Sequence, residues 1–371
     1  MKIVHITHHF WPCIGGVESS IEALCSELIK KGHDCKVICL NRCGNSKEKL
    51  PKREKHDCID IVRVPFFDLG IYKIAPQAIR HSKDADVLHI HGIGFFSDFF
   101  LLTKIFHRKP VVISTHGGIF HTGKNLLKRI YFYFWCRAIL RLADKVVAVS
   151  ENDLKQFQEI LPQSKLEQIT VPFDLKGFKP GKKDKNTFIF VGRLSKNKNV
   201  PTLISVFAIV SKKSNATLYI AGEEFDEKIK DLKELVKKES AEGRIEILGR
   251  CSDKKLKEML SKCDFFISAS SHEGFGISAI EAMRSGCIPV LSKIPTFESF
   301  VDNGKNGYIV DFSEKELAIS KLSEIMRITE AEKKRKRNNA IAYSNSFDQS
   351  VVANKFEALY NEISNRRKQI L

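Results

Sequence analysis

"CDFFISASSHEGFGISAIEAMRSG" spans residues 263–286 and reads as a strand, a turn and a helix. Its first eight residues form a short apolar run of the kind that fills a buried parallel strand. Gly274 and Gly276 flank Phe275 and leave backbone N–H groups open at the start of the helix, near Ile277. Those amides and the helix dipole favour negative charge. Glu273 stands on the turn and Glu281 inside the helix. Carboxylates accept paired hydrogen bonds from vicinal hydroxyls, so this unit suits a ligand bearing both hydroxyls and phosphates. Taken alone, Glu281 would be an ordinary helix-surface glutamate.

The same strand–turn–helix unit recurs outward in both directions. In the first half, "KIVHIT", "CKVICL", "IDIVRVPF", "DVLHIH", "PVVIST", "KVVAVS" and "QITVP" read as buried strands. A helix with apolar Val17, Ile21, Leu24, Cys25, Leu28 and Ile29 follows the first of them and stops at Gly32. The polar stretch "FDLKGFKPGKKDKN" (173–186) interrupts the pattern. A second alternation then begins with "TFIFVGRL" and continues through "ATLYIAG", "IEILG", "CDFFISAS", "CIPVLS" and "GYIV". The fold class expected is α/β, with two doubly wound parallel-sheet domains facing across a cleft. Their expected bounds are 1–172, a linker at 173–186, 187–345, and a C-terminal helix at 346–371 packing back toward the first domain. Ligands of such sheets sit at the carboxyl ends of strands, so the turns after strands are the places to inspect.

Bulk properties narrow the class. The chain has 371 residues, 43% hydrophobic and 28% charged, as in a globular protein. No apolar run reaches the roughly 18–20 residues of a membrane span. "MKIVHIT" enters a strand pattern without a signal peptide's apolar region, so a cytoplasmic protein is expected. The ten cysteines include no CxxC pair and are expected to be reduced and mostly buried. A formal net charge of +17 is spread over both halves instead of being gathered in a nucleic-acid-binding arm. Diffuse positive charge suits anionic membranes or phosphorylated ligands. The run "KKRKR" (333–337) is expected to be a solvated face.

Two further turns carry chemistry. In "CIGGVES" (13–19), Gly15 and Gly16 let backbone approach a ligand ahead of a helix start, although a tight turn without ligand fits equally. In "FVGRLSKNKN" (190–199), Arg193 and Lys198 offer a guanidinium fork and an ammonium to a diphosphate, or are simply solvated loop residues. No GxxxxGK[ST] loop is present, which excludes a P-loop nucleotidase. No GxGxxG follows the first strand, which argues against an NAD-dependent dehydrogenase.

Together, "EGFGISAIEAM", "VGRL" with a lysine five after its arginine, and "GGVE" resemble the retaining glycosyltransferases of family 4. That resemblance implies the GT-B fold, two Rossmann-like domains with the active site between them. By motif, Arg193 and Lys198 would bind the donor diphosphate and Gly15 and Gly16 would bring backbone to it. Glu273 would hold hydroxyls of the transferred sugar, with Gly274, Phe275, Gly276 and Ile277 supplying backbone contacts, and Glu281 would hold the ribose. His116 in "STHGG" would lie near the transferred sugar, or be a packed or capping histidine; His91 and His121 fit an acceptor side or plain structure. The stretch 86–123 is similar to enzymes that move mannose from GDP-mannose onto cellobiosyl-diphosphopolyprenol. "VPFDLKGF" (171–178) departs from the family's "VPNGVD" and puts the hinge geometry in doubt.

The resemblance implies a nucleotide sugar, GDP-mannose, as donor and a polyprenyl-diphosphate glycan as acceptor, in exopolysaccharide or cell-surface glycan assembly. Another family 4 reaction with a UDP-sugar, a GT-B epimerase and a non-catalytic basic binding protein are the alternatives. No DxD-type acidic pair stands at a strand end, so neither a metal nor a cofactor is expected, and no nucleic acid is expected as partner. Electrostatic stabilisation of the departing diphosphate by Arg193, Lys198 and helix-terminal amides would drive the reaction. The basic-aromatic stretch 124–141, with Lys124, Lys128 and Arg129, is either a membrane-facing element or a core helix with basic ends. A peripheral protein at the inner, anionic membrane face is expected.

Overall fold

Strands covered on both sides need apolar side chains pointing both ways, and the Val- and Ile-rich runs become such strands. The computed structural model describes all residues except 14, 45, 47, 71, 117–128, 274 and 369–371. The chain divides into two units, 1–174 with 347–371, and 175–346.

The first unit contains β1 (Lys2–Ile6), β2 (Asp34–Leu40), β3 (Arg53–His56), β4 (Ile59–Val64), β5 (Phe67–Leu69), β6 (Tyr72–Ile74), β7 (Val87–His91), β8 (Val111–Ser114), β9 (Lys145–Ala148) and β10 (Leu166–Gln168). Its main sheet runs β10-β9-β8-β7-β1-β2-β4-β3, parallel except for the β3–β4 hairpin, with β5–β6 as a separate ribbon. Helix α1 (Gly16–Lys30) and the C-terminal helix, Gln349–Lys368, both belong to this unit. Ile3, Val37 and Val87 share a core with Leu24, Leu28, Phe356 and Tyr360 of those helices. Val4, Ile6, Leu88 and Ile90 face the other side, onto Phe95, Phe96 and Phe100 of α2 (Phe95–Leu102).

The second unit holds β11 (Asp184–Val191), β12 (Thr217–Ala221), β13 (Ile245–Gly249), β14 (Cys263–Ser268), β15 (Ile288–Ser292) and β16 (Tyr308–Val310). All are parallel, in the order β13-β12-β11-β14-β15-β16. Phe188 of β11 stacks on Phe265 of β14 with centroids 4.6 Å apart. The strand order reverses between β11 and β14 here, and between β1 and β7 in the first unit. Those are the switch points where crevices open in doubly wound sheets.

Four expectations need correction. The stretch 173–186 is not linker to its end, because β11 starts at Asp184. "QITVP" (168–172) is strand only at its first residue; β10 is a short edge at Leu166–Gln168 that ends on Gln168. Cys13 and Cys43 form a disulfide with Cα atoms 5.5 Å apart, whereas the other eight cysteines are free. Two cysteines 30 positions apart leave no local spacing signal. Finally, "KKRKR" is not a solvated face, because helical spacing puts residues 333, 336 and 337 on one side of the helix Glu330–Ser344. Lys333 and Lys336 are buried; Lys333 Nζ and Arg337 Nη2 each lie 2.7 Å from Asp264, and Lys336 Nζ meets the Gly304 carbonyl. Lys334 and Arg335 alone of the five are exposed.

Candidate active site

The turns after β11 and β14 flank the second unit's switch point and carry the candidate donor residues. After β11 the chain crosses Gly192 so close to β12 that a Cβ on Gly222 would overlap the Gly192 carbonyl oxygen. A single turn, Lys196–Lys198, follows, and Asn199 adopts φ 53° before the helix α3 (Val200–Lys212). Asn tolerates this left-handed conformation better than most residues. Asn197 ties the two turns together: its side-chain amide donates to the His272 carbonyl (3.1 Å) and its carbonyl accepts from Ser271 N–H (2.8 Å).

Lys198 is thereby delivered onto Glu273, and its ammonium bonds Oε1. Ser270 Oγ donates to the same oxygen at 3.1 Å, and Thr296 Oγ1 donates to the Glu273 carbonyl at 2.7 Å. The Ser292 hydroxyl in turn holds the Ser270 carbonyl. Lys198 and Glu273 are each about one-sixth exposed, at 17% and 16%, so the pair is open to an incoming ligand. Arg193 is exposed, its guanidinium 5.2 Å from the Phe225 ring centroid. Nothing in the sequence marks Asn197, Phe225, Ser270, Ser292 or Thr296 as part of this site, because a hydroxyl behind a carboxylate has no spacing signature.

Gly276 has φ +66°, and a Cβ there would press on Phe297 and Phe300 at 3.0 Å, so glycine is required before α4 (Ile277–Arg284). Phe275 and Ile277 are half-buried; Gly274 lies outside the described residues. Glu281, on α4, is half-buried and makes no hydrogen bond or ion pair among the described residues. Burial pushes its carboxyl up to about 7, against an opposing pull from Lys257 and with a smaller push from Asp253.

In the first unit, Gly15 caps α1, which begins at Gly16 after β1. His91 ends β7, and His116 follows β8 with φ 46°. A histidine held at positive φ marks a position worth functional scrutiny. His91 Nδ1 and His116 Nε2 are 2.9 Å apart. Burial lowers the His116 imidazole to about 4 and lowers His91 well below its ordinary range. His116 is therefore neutral at physiological pH and can hydrogen-bond a sugar but not act there as an imidazolium acid. His121, Lys124 and Lys128 lie outside the described residues, and Arg129 is exposed.

Several large apolar side chains of the first unit are exposed. Ile105, Phe106 and Phe134 are 73%, 78% and 75% exposed, with Leu102 and Ile130 nearby in sequence and also exposed. The buried Asp98 joins three aromatic side chains: its Oδ2 accepts from Tyr72 (2.8 Å), Trp135 (2.9 Å) and Tyr131 (3.0 Å). No helix among the described residues is long and apolar enough to cross a membrane.

Comparison with known proteins gives two family matches, "Glycosyltransferase Family 4" over residues 14–176 and "Glycosyl transferases group 1" over residues 173–343. A GDP-mannose:cellobiosyl-diphosphopolyprenol alpha-mannosyltransferase of Xanthomonas oryzae pv. oryzae is 31% identical over 98% of this chain and 97% of its own length. Its namesake in Komagataeibacter xylinus is 30% identical over 99% and 94%. Among solved structures, a glycosyltransferase from Rickettsia africae superposes with a TM-score of 0.75 at 18% identity, covering 98% of both chains. A sucrose-phosphate synthase from Thermosynechococcus elongatus gives 0.74 at 17% identity, again over 98% of each. Both likenesses establish the overall fold.

Proposed function

The chain belongs to the family 4 glycosyltransferases, of GT-B fold, and from that premise we propose that it transfers mannose from GDP-mannose, with retention, to a polyprenyl-diphosphate-linked oligosaccharide. The observation that carries this reading is 30–31% identity over nearly the whole chain to relatives named for that reaction. In this reading Lys198 leaves Glu273 for the donor diphosphate, joined by Arg193, and neutralises charge on the departing GDP. Glu273, released from its ammonium but still held by Ser270, accepts from hydroxyls of the mannose. Glu281 accepts from the ribose hydroxyls, Gly15 and Gly16 let backbone approach the phosphates, and neutral His116 hydrogen-bonds the mannose. No metal is assigned to these steps.

In this reading a lipid-linked acceptor would hold the protein at a membrane, peripherally and on its cytoplasmic side. The exposed Ile105, Phe106 and Phe134, with the exposed Arg108, Arg129, Arg137 and Arg141, support contact of apolar and basic side chains with an anionic membrane surface.

A panel of sugar nucleotides with cellobiosyl-diphosphopolyprenol as acceptor tests the function. GDP-mannose should give the fastest acceptor-dependent release of nucleotide and an α-linked product. A faster UDP-sugar would overturn the donor, and nucleotide release independent of acceptor would favour an epimerase.

A further inference from the structure

One buried cluster in the first unit has no part in the chemistry above. His5 comes from β1, Cys35 from β2 and Cys25 from α1, and none is more than 1% exposed. One ligand atom from each lies within 4.8 Å of the other two. His5 Nδ1 is engaged 3.0 Å from His91 Nε2, while His5 Nε2 is buried with no hydrogen-bond partner. A fully buried imidazole nitrogen without a partner carries a desolvation cost that a bound cation relieves.

We propose that His5 Nε2, Cys25 Sγ and Cys35 Sγ form a binding site for a thiophilic d10 cation of the zinc(II) class. Zinc bonds of about 2.3 Å to sulfur and about 2.0 Å to nitrogen put ligand atoms about 4 Å apart, so the cluster closes on a cation by shifts under about 1 Å. Each thiol loses its proton to solvent on binding, and two thiolates neutralise the divalent charge, so the core gains no net charge. The contact from His5 Nδ1 to His91 is the orienting hydrogen bond that a ligating imidazole requires. The neighbouring trio His5, His89 and His91 is also close, but both nitrogens of His89 and of His91 are already spent. His89 is bonded to Tyr360 and Ser114 at 2.7 Å each, and His91 to His5 and His116.

The site also sets the polarity of the imidazole chain that ends at His116, a consequence that rests on the role proposed for His116 above. A cation on His5 Nε2 leaves the proton on Nδ1, which donates to His91 Nε2. His91 then carries its proton on Nδ1 and donates to His116 Nε2. The neutral His116 must therefore hold its own proton on Nδ1.

The test is titration of the full-length, thiol-reduced protein with Cd(II), read by thiolate-to-cadmium charge-transfer absorption in the ultraviolet. One equivalent should bind. Cys25→Ala and Cys35→Ala, which keep a small apolar group in the core, should each weaken it by at least about a hundredfold, since even orienting partners outside a ligand set are worth roughly 10–100-fold. Cys58→Ser and Cys251→Ser, at the two free cysteines that are not buried, should leave it unchanged. No charge-transfer band in the wild type overturns the site whatever the variants do, and so does a band that survives both alanine substitutions. Metal is read directly, so failure here leaves the transferase reading standing, and a failed donor panel leaves the cation site standing.

Discussion

Glu281→Gln separates the binding role of this residue from its cost to the fold. Desolvation holds the carboxyl near 7 against an ordinary value of 4.5. If the ribose hydroxyls require the carboxylate, affinity for GDP scales with its ionised fraction. That fraction is about nine-tenths at pH 8, about one-tenth at pH 6 and about one-hundredth at pH 5, so affinity should fall tenfold per unit of pH on the acid side, 1.36 kcal/mol each. The GDP phosphate titrates in the same range, but equally for both proteins. The ratio of wild-type to Glu281→Gln affinity, measured by calorimetry from pH 5.5 to 8, therefore isolates the side chain. It should fall about tenfold or more towards acid. A ratio flat across that range would refute the assignment.

The same shift sets the sign of a stability effect. A carboxyl whose folded value is raised binds more proton in the folded than in the unfolded state between about 4.5 and 7. Stability contributed by the protonated form is therefore lost as pH rises through that window. The difference amounts to about 3 kcal/mol above pH 7. Glu281→Gln should match the wild type in urea denaturation near pH 4.5 and exceed it by up to about that amount at pH 8, while binding GDP less well. A gain in stability with a loss of binding is the signature of a ligand-binding acid; a residue serving only the fold would lose both.

Lys198→Ala and Glu273→Ala should each lower kcat/KM at least about tenfold, since charge-assisted contacts are worth roughly 1.5–3 kcal/mol. The double variant should lose less than the product of the two, because the residues are bonded to one another; multiplicative losses would argue against a shared site. Lys333→Ala should cost about 3–5 kcal/mol in urea denaturation, since it weakens the compensation of the buried Asp264. An unchanged unfolding midpoint would contradict the buried-pair reading. The protein should co-sediment with anionic liposomes, less so as salt rises, and Phe106→Ser with Phe134→Ser should weaken this without moving the unfolding midpoint. Undiminished sedimentation of that double variant would leave charge alone as the cause.

Much of the architecture is legible because a parallel strand buried on both faces must be apolar throughout, and a turn that meets phosphate must spare its side chains. "CDFFISAS" and "TFIFVGRL" therefore announce β14 and β11, and the residues just beyond them already contain Lys198, Glu273 and Glu281. What local pattern cannot supply is strand order. Lys198 and Glu273 stand 75 positions apart, and their meeting depends on β11 and β14 being neighbours. "KKRKR" misleads for a related reason: a charge run signals solvent only until a helix turns part of it onto a buried carboxylate such as Asp264.

The histidines make the same point within the first unit. His89 and His91 can be placed on one strand face from their spacing alone. Nothing in the spacing puts His5 beside them, or His116 at the end of the row. That requires β1 and β8 to border β7 on either side, as the sheet order β8-β7-β1 provides. Once it does, His5, His91 and His116 are joined nitrogen to nitrogen, and a cation on His5 Nε2 sets the tautomer of His116 from the sheet's interior. The group expected nearest the transferred sugar is thus governed from the face of the sheet that carries α1 and the C-terminal helix.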